Sequence, residues 1–151
     1  IPTNPGVIKS IDGETCGEHD GLMYYTMGQR KGLGIGGGYG DNTAAWFVTE
    51  KDFDNNILIV AQGGDHPSLY HHNLSADSLH WISGEPPKNQ EKLSAKIRYR
   101  QNDQDCQVIS IDEDRCTVKF SSPQFAITPG QSIVFYDGET CLGGAIINDR
   151  S

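Results

Sequence analysis

Residues able to do chemistry are scattered along this 151-residue chain, and most stand in patterns that only partly match a working site. Gly32-Leu33-Gly34-Ile35-Gly36-Gly37 has the G-x-G-x-x-G form of a dinucleotide loop. That chemistry needs a strand before the glycines and a helix after them, whose first amides meet the pyrophosphate. Here polar Thr26-Met27-Gly28-Gln29-Arg30-Lys31 precedes and Gly38-Tyr39-Gly40-Asp41-Asn42 follows. A loop that another surface approaches closely is the better reading, and Arg30 and Lys31 beside it are candidates for an anion or domain contact. Glu18, His19 and Asp20 are the residue types of acid–base catalysis, but adjacent side chains diverge and no nucleophile pattern lies nearby. A hydrogen-bonded turn is expected there. His66, His71 and His72 are close in sequence without a helical H-x-x-x-H pair or a cysteine partner, so no metal is expected. Cys16, Cys106, Cys116 and Cys141 match no C-x-x-C framework and read as small apolar core residues.

The most informative stretch is basic. Formal net charge is −8, which by itself argues against a nucleic-acid partner, because phosphate binding runs on Lys and Arg. Distribution matters more than the sum. Lys88, Lys92, Lys96, Arg98 and Arg100 are five of the twelve basic residues, and only Glu91 opposes them, making residues 88–100 locally +4. If Lys96-Ile97-Arg98-Tyr99-Arg100-Gln101 is a strand, Lys96, Arg98 and Arg100 share one face at about 7 Å spacing, close to that of successive phosphates. Tyr99 then faces the other way, able to stack on a base if it lies near the strand end. A solvated basic edge strand that resists aggregation is the competing reading.

The elements that must position these residues are strands. Apolar residues seldom recur at helical spacing; short apolar runs bounded by Gly, Pro, Asn and Asp recur instead. Strands are predicted over 7–11, 46–51, 57–62, 79–82, 95–101, 106–111, 116–120, 132–136 and 141–147, with one helical turn over 25–30. Asp52-Phe53-Asp54-Asn55-Asn56, Asp112-Glu113-Asp114 and Asp137-Gly138-Glu139 read as hairpin turns. The turn chemistry of Gly63-Gly64-Asp65-His66-Pro67-Ser68 suggests a boundary near residue 70, giving domains 1–70 and 71–151. The second half then holds six antiparallel strands, a number that closes into a small barrel to remove its edges. No run of 18 apolar residues is present, so no transmembrane helix is expected. The start, Ile1-Pro2-Thr3-Asn4-Pro5-Gly6, reads as a cut within a linker of a longer protein.

Taken in order, Gly17-Glu18-His19-Asp20-Gly21, Gly28-Gln29-Arg30-Lys31-Gly32-Leu33-Gly34-Ile35-Gly36-Gly37, Asn56-Ile57-Leu58-Ile59-Val60, Lys96-Ile97-Arg98-Tyr99-Arg100-Gln101, Ala126-Ile127-Thr128-Pro129-Gly130-Gln131 and Cys141-Leu142-Gly143-Gly144 resemble the central and C-terminal regions of bacterial tRNA-specific 2-thiouridylases. The resemblance covers essentially the whole chain. It implies a small central β domain and a six-stranded barrel like the second domain of translation elongation factors. It implies a parent enzyme that adenylates the wobble uridine of tRNA with ATP and Mg, then inserts sulfur delivered by a sulfur-relay protein or cysteine desulfurase. The ATP site and both catalytic cysteines would belong to a missing N-terminal domain, so the fragment is expected to be inactive, with no catalytic residue, metal or cofactor of its own. Arg98, Tyr99 and Gln131 fall at tRNA-contacting positions by that resemblance, with Lys96 and Arg100 as lesser candidates. A cytoplasmic tRNA partner, without membrane or DNA, follows. The alternative is a protein-interaction barrel that docks a sulfur carrier or another subunit.

Overall fold

A computed structural model describes residues 3–38, 40 and 44–151. The first two residues of the expected linker, and Tyr39, Asp41 and Asn42 after the glycine-rich loop, lie outside the described residues. The chain divides into two compact units, Ile1–Leu69 and Tyr70–Ser151. Among the described residues the only helical elements are two 3-10 turns, Leu22–Tyr24 and Pro67–Leu69.

The first unit is a four-stranded sheet. Its strands are β1 (Gly6–Ser10), β2 (Thr15–His19), β3 (Trp46–Asp52) and β4 (Ile57–Gln62), in the order β2-β1-β4-β3. The pair β3–β4 is the hairpin expected around Asp52–Asn56, whereas β1 and β4 run parallel, with Ile8 opposite Leu58. Ile8, Cys16, Leu22, Tyr25, Leu33, Val48, Leu58 and Val60 form its core. Two expectations fail here. The predicted helical turn over 25–30 is an irregular segment, because Gly28 donates to the Val48 carbonyl and the Val48 amide donates back to Gln29, tying it to β3. The expected turn at Gly17–Gly21 mostly belongs to β2, a strand whose sequence Thr-Cys-Gly-Glu-His offers only one apolar side chain to the core.

The second unit is a closed barrel of β5 (Tyr70–Trp81), β6 (Leu93–Lys96), β7 (Gln104–Asp112), β8 (Arg115–Phe125), β9 (Ser132–Asp137) and β10 (Thr140–Arg150). Around it the order is β10-β5-β8-β7-β6-β9, every neighbouring pair antiparallel. Alternation does the work: Cys116, Val118 and Phe120 of β8 point inward while Arg115 and Lys119 are exposed. Phe120, Phe135, Ile127, Ile133 and Ile147 fill the interior, and Trp81 packs on Phe135 with ring centroids 5.4 Å apart. Strand β5 begins nine residues earlier than the segment predicted at 79–82. Its start is polar, its first inward positions are Leu74 and Ala76, and a bulge at Ser78, with φ 52°, breaks the alternation before buried Trp81. Strand β8 runs past its predicted end through Pro123, which the barrel accepts because the register with β5 shifts between His71 and Asn73.

Closure depends on one close approach. Gly143 opposes Trp81 on β5 and Phe135 on β9, at φ 155°, and a Cβ there would meet the His80 carbonyl oxygen at 2.0 Å. Gly143→Ala is therefore expected to destabilise the barrel by roughly 2–5 kcal/mol, read as a lower midpoint in urea unfolding. Three of the four cysteines are buried as expected, and Cys141 departs by lying exposed. Burial pushes the Cys106 thiol up to about 12, helped by Asp105 and Cys116, and pushes Cys116 up to about 11, from an ordinary 9.0. The unfolded chain thus releases these protons first as pH rises, so stability falls from about pH 9 upward, by up to roughly 1.4 kcal/mol per pH unit and thiol. A thiol reagent at pH 7 is expected to label Cys141 alone in the folded chain. The alkaline fall in melting temperature should be shallower in Cys106→Ala.

Candidate nucleic-acid interface

The basic segment does not continue as a strand. β6 ends at Lys96, paired with Gln104–Cys106 of β7 on one side and Val134–Tyr136 of β9 on the other. The next amide, Ile97 N–H, donates to the Gln101 side-chain oxygen at 3.0 Å instead of to a neighbouring strand. Gln101 N–H closes the turn on the Arg98 carbonyl at 3.4 Å. The Gln101 amide also donates to Gln124 at 2.9 Å, and buried Gln124 donates to Gln104 at 3.3 Å and to the Ser122 carbonyl at 3.0 Å. Three glutamine side chains thus fasten the base of a loop over residues 97–101. The predicted strand over 95–101, with Lys96, Arg98 and Arg100 on one face, is corrected accordingly. A side chain satisfies the backbone group that a ladder would have used.

Each cation then has its own setting. Arg98 lays its guanidinium over the Phe125 ring, 5.3 Å from the centroid, and donates to the Phe125 carbonyl. Burial lowers its pKa from the ordinary value, although an arginine remains charged. The Lys96 ammonium sits 5.3 Å from the centroid of Tyr136. Tyr99 is 96% exposed at the tip of the loop. Arg100 is exposed and does not line the depression described next.

Gln131 comes from a distant turn. Gly130 N–H donates to the Ile147 carbonyl and Ile147 N–H donates to the Gln131 carbonyl, both at 2.8 Å, while Gln131 N–H donates to Thr128 at 3.2 Å. Gly130 has φ 90°, a conformation that glycine adopts freely. The backbone of Gln131 is held on both sides and its side chain is exposed. Lys96, Arg98, Tyr99, Gln131, Ser132 and Tyr136 together line a depression of ≈ 380 Å³ beside β6 and β9. Four of the residues singled out in the sequence thus share one surface. Tyr136 and Phe125, which seat the two cations, carried no sequence signal beyond being aromatic.

The other candidates are dispersed. Arg30 and Lys31 are exposed in the first unit, in a segment that Gln29 pins by accepting from Thr26 N–H at 2.9 Å and donating to Lys31 at 2.8 Å. His19 is fully buried, its Nδ1 accepting from Gly21 N–H at 3.1 Å, which leaves Nε2–H to donate to the Asn56 carbonyl at 2.9 Å. Both ring nitrogens are thereby used in holding the sheet, while Glu18 and Asp20 lie exposed on either side. His66 closes a local turn with Ser68, and His72 lies near the Phe120 carbonyl. Among the described residues no three His, Cys, Asp or Glu side chains converge as a metal site. The described part of the glycine-rich loop is made of turns and bends with no strand before it, so it does not fit a nucleotide phosphate.

Residues 71–147 match the family model of an aminomethyltransferase beta-barrel domain, and residues 1–62 match that of a tRNA methyl transferase PRC-barrel domain. The chain is 54% identical to the tRNA-specific 2-thiouridylase MnmA of Hydrogenovibrio crunogenus, over 99% of its own length and 40% of that relative. It is 54% identical to the Klebsiella pneumoniae protein of the same name and 53% identical to that of Haemophilus influenzae, covering 41% and 39% of them. It spans about two-fifths of the length of these relatives. A sheet unit and a six-stranded barrel, matched in order by two family models and by relatives across nearly every residue, show that this chain belongs to the tRNA-specific 2-thiouridylase family.

Proposed function

We propose that this chain is the tRNA-positioning part of an ATP-dependent tRNA-uridine 2-sulfurtransferase, with residues 1–70 as a central domain and 71–151 as the barrel that grips the RNA. The observation that carries the reading is the depression beside β6 and β9. In a chain of net charge −8, cationic, aromatic and amide side chains meet there on one surface. Such a mixture suits RNA, whose phosphates want cations and whose unpaired bases want rings and amide edges. Phosphate contacts position a substrate without specifying it, so a few side chains on a rigid barrel suffice to hold a polyanion while chemistry proceeds elsewhere in the parent. Adenylation with ATP and sulfur delivery by a relay protein belong, on this reading, to the parent outside this chain. In the intact parent, Arg98→Ala is expected to raise the Kd for tRNA about 5- to 30-fold, as for a charge-assisted contact. A Kd unchanged from wild type, measured by filter binding at fixed salt, would remove Arg98 from the interface.

A second reading has one observation behind it. Ile82, 64% exposed, and Ile146, 38% exposed, flank Gly143-Gly144 and Val134 on an outward apolar face of β9 and β10. That face suits a protein such as a sulfur carrier better than it suits RNA. Under this reading Ile82→Asp loses carrier binding in a pull-down and keeps wild-type tRNA affinity. Retained carrier binding eliminates it.

A further inference from the structure

We infer that Gln124 and Phe125, the last two residues of β8, are positioning residues for the loop over 97–101: Phe125 seats Arg98 and Gln124 holds Gln101. The inference rests on the tRNA reading and goes beyond it, because neither residue lines the depression where RNA would lie. It moves part of the RNA affinity onto a strand end that does not itself touch RNA.

Adjacent residues of a strand face opposite ways, and the end of β8 turns both faces to one loop. Gln124 is buried at 3% exposure, and its side-chain oxygen accepts from the Gln101 amide at 2.9 Å. The Gln101 oxygen accepts in turn from Ile97 N–H at 3.0 Å, so this grip reaches the first residue of the loop. Phe125 takes hold of Arg98 twice. The guanidinium lies 5.3 Å from its ring centroid and donates to its carbonyl. Tyr70, opposite Phe125 in register, packs on the same ring with centroids 5.6 Å apart. Ala126, at φ 53°, turns the chain directly after Phe125, in a conformation that non-glycine residues seldom adopt.

The needs of the barrel alone do not account for either residue. Gln124 donates to Gln104 at 3.3 Å and to the Ser122 carbonyl at 3.0 Å, which with Gln101 makes a side-chain network at the strand end. Apolar side chains of like volume at all three glutamine positions would fill the same space at little net cost. A buried amide network instead selects one geometry, and the geometry selected here is that of residues 97–101. Arg98 is the parallel case. A long side chain held by a ring and a carbonyl loses its rotamer freedom on folding, before any RNA arrives. The carbonyl takes one of five guanidinium donors, and the planar group stays suited to an acceptor such as phosphate. Tyr99 stands 96% exposed between the two grips, so what holds the loop ends sets its place.

The test uses the intact parent protein and labelled tRNA, with Kd measured at fixed salt for single and paired substitutions. Phe125→Leu should raise Kd about 3- to 10-fold, while Phe125→Tyr, which keeps the ring, should bind within about two-fold of wild type. Gln124→Met should raise Kd about 2- to 10-fold. A positioning residue acts through its partner, so each loss should shrink below about two-fold once that partner is gone. The paired backgrounds are Arg98→Ala for Phe125→Leu and Gln101→Ala for Gln124→Met. A residue that merely supports the barrel would weaken binding equally in both backgrounds. Wild-type affinity in Phe125→Leu or Gln124→Met, or effects that multiply with those of the partner substitutions, overturns the inference and leaves the tRNA reading standing. Wild-type affinity in Arg98→Ala removes Arg98 from the interface, and the role of Phe125 falls with it. Circular dichroism checks the fold of each variant. Gln124→Met, which empties no ring-sized space, keeps the test decisive if Phe125→Leu does not fold.

Discussion

Closure of the six-stranded barrel is the constraint from which the rest follows. β10 pairs with β5 on one side and β9 on the other, and the two meet at Gly143, where a side chain would strike the His80 carbonyl. Once β9 is fixed by β10, its other edge fixes β6, placing Lys96 opposite Val134 and next to Tyr136. The same strand β10 holds the Thr128–Gln131 turn through Ile147. Lys96 and Gln131, thirty-five positions apart in the chain, become neighbours because of these registers and not because of any local preference. The loop over 97–101 and the turn at Gln131 are thus anchored on strands whose registers fix where they lie.

The electrostatics follow the same logic. On the proposed tRNA-positioning reading, a chain at −8 offers RNA no net long-range attraction, so binding would come from contacts that are close and oriented. Seating each cation on an aromatic face provides that orientation. Arg98 lies on Phe125 and Lys96 on Tyr136, so neither long side chain loses all its freedom at the moment of binding. On the same reading, the acidic remainder would disfavour nonspecific contact with polyanions away from this surface.

Where the sequence was readable, local chemistry decided the structure. Residues 57–62 form a strand with the predicted bounds, since a run of aliphatic side chains between Asn56 and Gly63 has no competing use. The barrel's hairpins at Asp112–Asp114 and Asp137–Glu139 followed from turn residues. Where the reading failed, a long-range partner intervened. The strand predicted over 95–101 stops at Lys96 because the Gln101 side chain accepts the Ile97 amide, and distant Gln124 holds that side chain in place. The opening of β5 is polar and escapes a sequence reading because pairing with β8, and from Leu74 onward with β10 as well, replaces the hydrophobic signal. Gln131 carries no local mark at all; only family resemblance singled it out. Tyr136 and Phe125 went unnoticed because a ring beneath a cation is a relation between elements, invisible along the chain.

Residue types that advertise chemistry are used here for architecture. The imidazole of His19 spends both nitrogens on backbone groups, and Cys106 and Cys116 are protonated packing units whose thiolates burial suppresses. Reactive thiolates need an electropositive, partly open setting, and the barrel interior is the opposite. The surface with the chemistry to meet RNA is made instead from residues with no reactive group: a lysine, an arginine, a tyrosine and a glutamine. On the tRNA-positioning reading proposed above, that inversion is what a holding module would show. Its free energy must come from many weak, oriented contacts, so its side chains are chosen for shape and hydrogen bonding, and the folded scaffold takes up the groups that could otherwise react.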